Sequence, residues 1–207
     1  MNVPAPRIRL SEVLTAILAG LACFLVIDQL RLFGSPVLSV LIRLETQYYF
    51  ALIALLLPGV FLIYRSPWAA LDAGFGLGAF LAPLWLLLHA EAIANEGWEF
   101  LAPDHAVLAG SILWLLVLEA VRRVTGWVLF GIALVFSMYP LFADLMPLMI
   151  SGMAIGFRET ASYHAMSIES IVGLPFRAFA NLVVGFLVFG ATLQHTGGGA
   201  FFIRLAF

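Results

Sequence analysis

The sequence predicts an all-α, polytopic integral membrane protein of about six transmembrane helices, with a re-entrant or interfacial segment before the last. Three observations predict it. Of the 207 residues 63% are hydrophobic and 11% are charged, and the mean hydropathy is +1.07; soluble domains run at roughly 45–50% apolar and about 25% charged. A chain of this length cannot hide so much apolar surface from water in one core, so lipid is its solvent. In lipid every backbone N–H and C=O must be satisfied internally, which leaves helices or a closed barrel. The apolar residues form long unbroken blocks rather than the alternating segments of a barrel strand, which decides for helices.

A spanning helix needs about 20 apolar residues. Block one, residues 13–27, ends at Asp28, Arg31 and a Gly34-Ser35-Pro36 break. Arg7 and Arg9 precede it in the manner of a signal peptide. The bulky Phe24, Leu25, Val26 and Ile27 stand where a cleavage site would need small residues, which argues against removal. Block two, 48–64, contains Pro58; block three, 68–88, carries one charge, Asp72. Blocks four, five and six cover 105–121, 126–143 and 171–193. The count falls to five if block one only lies at the interface. Between the last two blocks, residues 145–157 are apolar but broken by Pro147, Gly152 and Gly156, and 158–170 are polar with Met166 and Ile168 interspersed. Such a segment is expected to be re-entrant or interfacial, which is tolerated only where protein or a watery cavity covers the backbone.

Alternating the blocks from a cytoplasmic N-terminus puts Arg7, Arg9, Arg65, Arg122, Arg123 and Arg204 inside. Glu91, Glu96, Glu99, Asp104, Asp144, Glu159 and Glu169 fall outside, with Arg31, Arg43, Arg158 and Arg177 as exceptions. The arginine bias favours this orientation. Trp68, Trp98 and Trp127 lie near span ends, where amphipathic rings prefer the headgroup layer, and Trp85 and Trp114 read as packing.

The residues that could carry chemistry have plain structural readings. Ala70, Gly74, Gly78 and Ala82 recur at four-residue spacing and form a small-residue ridge for close helix packing. Glu119 precedes Arg122 and Arg123 by three and four residues, the spacing of an ion pair on one helix face. Asp72 is expected to be paired or snorkelling, with Arg65 seven residues away on a similar face. The histidines lack the spacing of helical metal ligands and are expected to be solvated or capping. Cys23 has no partner, so the chain has no disulfide or cysteine-based metal site, and the net charge of −2 recommends no nucleic-acid partner. Gly197, Gly198 and Gly199 end a helix.

Glu119, Arg122, Arg123, Gly126 and Trp127, at their spacing, resemble the small-subunit/large-subunit junction of fused permeases of tripartite ATP-independent periplasmic (TRAP) transporters, of which the TAXI-type branch is the nearest in character. Tyr139, Phe142 and the Leu145-Met146-Pro147 turn follow as in that family. Glu169, Gly173, Pro175, the run 186–191 with Phe189 and Gly190, Leu193, Thr196, Gly197, Phe201 and Phe202 then align without a gap. Ser170 stands where the family usually has glycine and Gln194 where an acid is common; neither is a known ligand position. The resemblance implies a small-subunit-like four-helix scaffold over 1–121 and the start of a large permease subunit over 122–207. It implies a bacterial inner-membrane permease component of a sodium-coupled secondary transporter for small organic anions, carboxylates or amino-acid-like solutes. The partners it implies are the lipid bilayer, a periplasmic TAXI-type substrate-binding protein and the remainder of the large subunit. The hairpins that hold sodium and substrate are expected beyond Phe207, so the chain is expected to be an N-terminal portion, with no catalytic, cofactor or metal residues of its own. Two other classes are an integral-membrane enzyme built on the acidic stretch from Glu91 to Asp104 with His105, and a non-transporting assembly or anchor protein.

Overall fold

The structure, a computed structural model, describes residues 10–29, 42–147 and 149–206; Arg7, Arg9, Arg31 and the Gly34-Ser35-Pro36 break lie outside them. Eleven α-helices follow one another among the described residues. They are α1 (Leu10–Gln29), α2 (Glu45–Ile63), α3 (Ala69–Leu88), α4 (Ala90–Glu96), α5 (Trp98–Leu101), α6 (Asp104–Thr125), α7 (Trp127–Met138), α8 (Phe157–Met166), α9 (Leu174–Ala178), α10 (Val184–His195) and α11 (Gly198–Ala206). No strand occurs among the described residues.

Four segments are long and apolar enough to cross a membrane: α1, α2, α3 and the run Leu174–His195, in which α9 and α10 are joined by a π-helical turn, Phe179–Val183. A 20-residue helix is about 30 Å long, the thickness of the hydrocarbon core. The chain is therefore a multi-pass helical membrane protein, and block one is a full-length helix that extends through Asp28. Block four is the 22-residue α6, which carries Asp104 at its start and Glu119, Arg122 and Arg123 near its end. Block five is the shorter apolar helix Trp127–Leu141. It tightens into a 3-10 turn at Tyr139–Leu141, where Pro140 has no N–H to continue the ladder.

The bundle is organised around α2. Its tyrosines Tyr48 and Tyr49 and its apolar Phe50, Leu52 and Ile53 are buried against Val26 of α1, Leu86 of α3, Leu113 of α6, Met166 of α8 and Ala180 and Val184 of the last span. The Gln47 carboxamide starts α2 by accepting from the backbone N–H groups of Arg43 (2.7 Å) and Leu44 (3.1 Å), donors a helix start otherwise leaves open. Nearer the other end Phe61, Ala79, Leu116 and Ala120 join α2, α3 and α6.

The predicted ridge on α3 is used over only part of its length. A Cβ at Gly78 would lie 3.2 Å from Leu116 of α6 and Ala82 is buried, whereas Ala70 is exposed and a Cβ at Gly74 would meet nothing within 4 Å. The segment between blocks five and six contains no spanning helix. Two 3-10 turns and an irregular stretch lead to the ten-residue α8, about 15 Å long. It lies against α6 at Gly110, where a Cβ would be 3.2 Å from Ala165, 3.3 Å from the Ala161 carbonyl and 3.4 Å from Met166. Glycine at that position lets the two helix axes approach.

Candidate functional site at the helix 6 to helix 7 junction

The last two turns of α6 hold Glu119, Arg122 and Arg123, spaced within about one turn of each other. Glu119 accepts from Arg122 through both oxygens, at 2.7 and 2.6 Å, and from Arg123 Nε at 2.8 Å. This is the expected local pairing. Arg123 also reaches across the bundle, donating through Nη1 to Asp72 Oδ1 of α3 (2.7 Å) and to the Tyr64 carbonyl that follows α2 (2.9 Å). Its guanidinium lies over the rings of Phe61 (4.9 Å) and Phe75 (5.4 Å), and its side chain is only 6% exposed. The other Asp72 oxygen accepts the Ser66 N–H at 2.8 Å. The partner of Asp72 is therefore Arg123. Arg65, the neighbour expected from sequence, instead donates to the Leu62 carbonyl. Asp72 sits in the first turn of α3, where a carboxylate suits the helix dipole, and packing brings the end of α6 to it.

One residue later the chain must turn. Gly126 adopts φ 85° and ψ −175°, a conformation essentially reserved for glycine, and this breaks α6 from α7. Trp127 then starts α7 with its ring 4.8 Å from the Arg122 guanidinium. So α6 runs without interruption through residue 121, and the bend falls at Gly126. The geometry makes a clamp: one arginine bonds the ends of α2, α3 and α6. It offers no nucleophile and general-base pair, and no group of three metal-ligating side chains occurs among the described residues.

The remaining residues that sequence singled out lie elsewhere. Glu169 is exposed and accepts the Tyr163 hydroxyl at 3.2 Å. Burial pushes the Tyr163 phenol up, and the neighbouring Glu169 adds to it. Gly173 precedes α9; a Cβ there would sit 2.7 Å from the Ser170 carbonyl, and Pro175 occupies the first turn of α9, where its missing N–H costs nothing. Phe189 and Gly190 are on an exposed face of α10. Gly197, with φ 75°, turns the chain into α11.

Two groups of aromatic residues pack in ways the sequence reading does not specify. Trp98 is buried against its neighbours, in a cluster with Trp85, His89 and His105 whose ring centroids lie 3.9–6.3 Å apart. The His89 Nδ1–H donates to the Trp85 carbonyl at 2.9 Å, a capping role. His164 is neither solvated nor a cap. Its Nε2–H donates to the Ser137 carbonyl at the end of α7 (2.6 Å), and its Nδ1 accepts the Ser170 hydroxyl (2.6 Å). It thereby ties α7, α8 and the loop before α9 together, beside the buried Trp114. Nothing in its spacing signals this; the one hint is serine at 170.

Burial pushes the His164 imidazole below its ordinary value, against a smaller upward pull from the Ser137 carbonyl. The neutral form is thus favoured in the fold. Its contribution to stability is present above the ordinary imidazole value of about 6.5 and is lost as pH falls below it towards the lowered folded value. Thermal unfolding followed from pH 8 to 5 is expected to show an acid-side loss that is absent in His164→Gln, which keeps an N–H donor. Parallel pH profiles for the two proteins would show that His164 does not titrate in this way.

Residues 112–207 match the family model described as Tripartite ATP-independent periplasmic transporter, DctM component. None of the curated proteins and none of the solved structures matches the chain. The matched stretch begins within α6 and takes in the Glu119 to Trp127 junction, α8 and the last span. It supports a TRAP transporter family and points away from catalysis.

Proposed function

We propose, from the match over residues 112–207, that this chain is a permease component of a TRAP-type secondary transporter in a bacterial inner membrane. In this reading the complete transporter couples inward sodium flow to uptake of a small organic anion, a carboxylate or an amino-acid-like solute, handed over by a TAXI-type periplasmic binding protein. Residues 1–121 serve as a small-subunit-like scaffold and 122–207 open the large subunit, which works with further large-subunit helices. The observation that carries the proposal is the family match.

The fold supports this division of labour. The Arg123 clamp and the core around α2 make a braced unit of α2, α3 and α6, suited to stay fixed in the bilayer while another part moves against it. By contrast α7 buries no residue, and Leu182, Phe186, Leu187 and Phe189 are exposed along the last span. Those faces are open to lipid and to large-subunit helices. A cytoplasmic N-terminus places Arg65, Arg122 and Arg123 at one end of the bundle, in the cytoplasm, and Glu91, Asp104 and Glu169 at the other, in the periplasm.

The test is uptake in proteoliposomes that contain this chain, the remainder of the large subunit and a TAXI-type binding protein. Accumulation of the binding protein's solute is expected only with an inward sodium gradient and only when this chain is present. Uptake that is indifferent to sodium, or that proceeds without the chain, would sink the reading.

A further inference from the structure

Arg177 is one of the four arginines that fall on the acidic side of the membrane by sequence, and the clamp does not use it. It lies in α9, at the start of the last span, half-buried. Its Nε donates to the Val172 carbonyl at 3.2 Å, and its guanidinium carbon lies 5.5 Å from the centroid of the buried Tyr49 ring. Every aspartate and glutamate of the chain is among the described residues, and none is within ion-pair distance of Arg177. The contrast within the same molecule is direct. Arg122 and Arg123, also withdrawn from solvent, are both neutralised by carboxylates.

The surroundings of Arg177 are rich in donors. Asn181, four residues on, donates one amide N–H to the Tyr49 hydroxyl at 3.1 Å. Arg177 and Asn181 both contact Tyr49, and Asn181 lies within the π turn Phe179–Val183, where the helix widens. The Tyr48 hydroxyl donates to the Ala180 carbonyl in that turn at 2.9 Å and so holds the π turn in place. After these bonds are counted, Arg177 Nη1 and Nη2, the Tyr49 O–H and the second Asn181 N–H have no acceptor among the described residues. A cation at the edge of hydrocarbon without a counter-charge is costly. A planar guanidinium flanked by amide and phenol donors is matched by an oxygen anion.

We propose that Arg177, Asn181 and Tyr49 form a binding site for one anionic oxygen group, a phosphate or a carboxylate. Two sources carry that chemistry: the headgroup of an anionic phospholipid, and a dissolved anion. The site does not depend on the transport reading, since it rests on the unmatched charge of Arg177 and on the Tyr49 and Asn181 donors gathered beside it.

The test uses the full chain in phosphatidylcholine mixed micelles. Phosphatidylglycerol is titrated in and counted by native mass spectrometry; inorganic phosphate and acetate are titrated by calorimetry. At least one probe is expected to bind at one equivalent. Arg177→Gln is expected to weaken it tenfold or more and Asn181→Leu severalfold, while Arg204→Gln, at an exposed arginine of α11, leaves it unchanged. Loss confined to phosphatidylglycerol assigns a lipid headgroup, and loss with phosphate or acetate assigns a dissolved anion. If Arg177→Gln does not fold, Arg177→Lys, which keeps the charge but not the fork, serves in its place with an expected severalfold loss. No binding of any probe, or equal weakening by substitutions at 177 and 204, would overturn the site.

Discussion

Arg123→Ala is expected to cost the fold about 3 kcal/mol, because it leaves a buried carboxylate without its cation. Asp72 is only 7% exposed, and with Arg123 gone it keeps only the Ser66 N–H. The same change frees the Tyr64 carbonyl and removes the packing over Phe61 and Phe75. Glu119 suffers less, since Arg122 still holds both its oxygens. The double variant Asp72→Asn, Arg123→Met is expected to return to within about 1 kcal/mol of the parent, since an apolar replacement of a buried pair is often neutral. Asparagine can still accept from Ser66, and methionine fills the aromatic slot. Equilibrium unfolding in mixed micelles measures both. A single variant as stable as the parent would mean that the clamp does not hold the three helices together.

Gly110→Leu is expected to drive α8 away from α6. The place of its first side-chain carbon is already hemmed in by Ala165, Ala161 and Met166 at 3.2–3.4 Å, and overpacking of this kind costs about 1–3 kcal/mol. Ser162 of α8 provides the readout. It is 1% exposed and its hydroxyl has no hydrogen-bond partner among the described residues, so Ser162→Cys introduces a thiol of similar shape without breaking a bond. In a Cys23→Ala background that thiol is expected to resist a water-soluble alkylating reagent in the parent and to react readily in Gly110→Leu. Gly74→Leu, at a glycine whose Cβ would meet nothing within 4 Å, is expected to leave the protection intact. A thiol equally protected with leucine at 110 would show that α8 does not depend on this contact.

What could be read from the sequence was whatever is encoded locally. Long apolar blocks announce α1, α2, α3 and the last span, because the thickness of hydrocarbon demands helices of about 20 residues, although the apolar runs behind α1 and α2 are shorter than the helices themselves. The pairing of Glu119 with Arg122 and Arg123 follows from helix periodicity. The attachment of Asp72 to Arg123 does not, because the two are 51 residues apart and their meeting depends on how α3 packs on α6. Proximity along the chain points to Arg65 and misleads. Trp98 lies near a span end, and its enclosure against Trp85, His89 and His105 depends on how the short α4 and α5 pack on α3, which no local pattern shows. Small residues at regular spacing identify a ridge on α3 but not which part of it meets a neighbour. A hydroxyl seeking a backbone carbonyl, as Tyr48 does, leaves no pattern at all.

The bonds from Tyr48 to Ala180 and from Tyr49 to Asn181 each join residues 132 positions apart, and this sets a timetable for biosynthesis. At about 5–20 residues per second on the ribosome, the last span follows α2 by something on the order of ten seconds. Throughout that interval α2 has two phenolic hydroxyls inside or beside the bilayer whose eventual partners do not yet exist. Until then those hydroxyls, in the first turns of α2, are served by water or headgroups at the membrane edge, and only the arrival of residues 180 and 181 gives them their partners within the bundle.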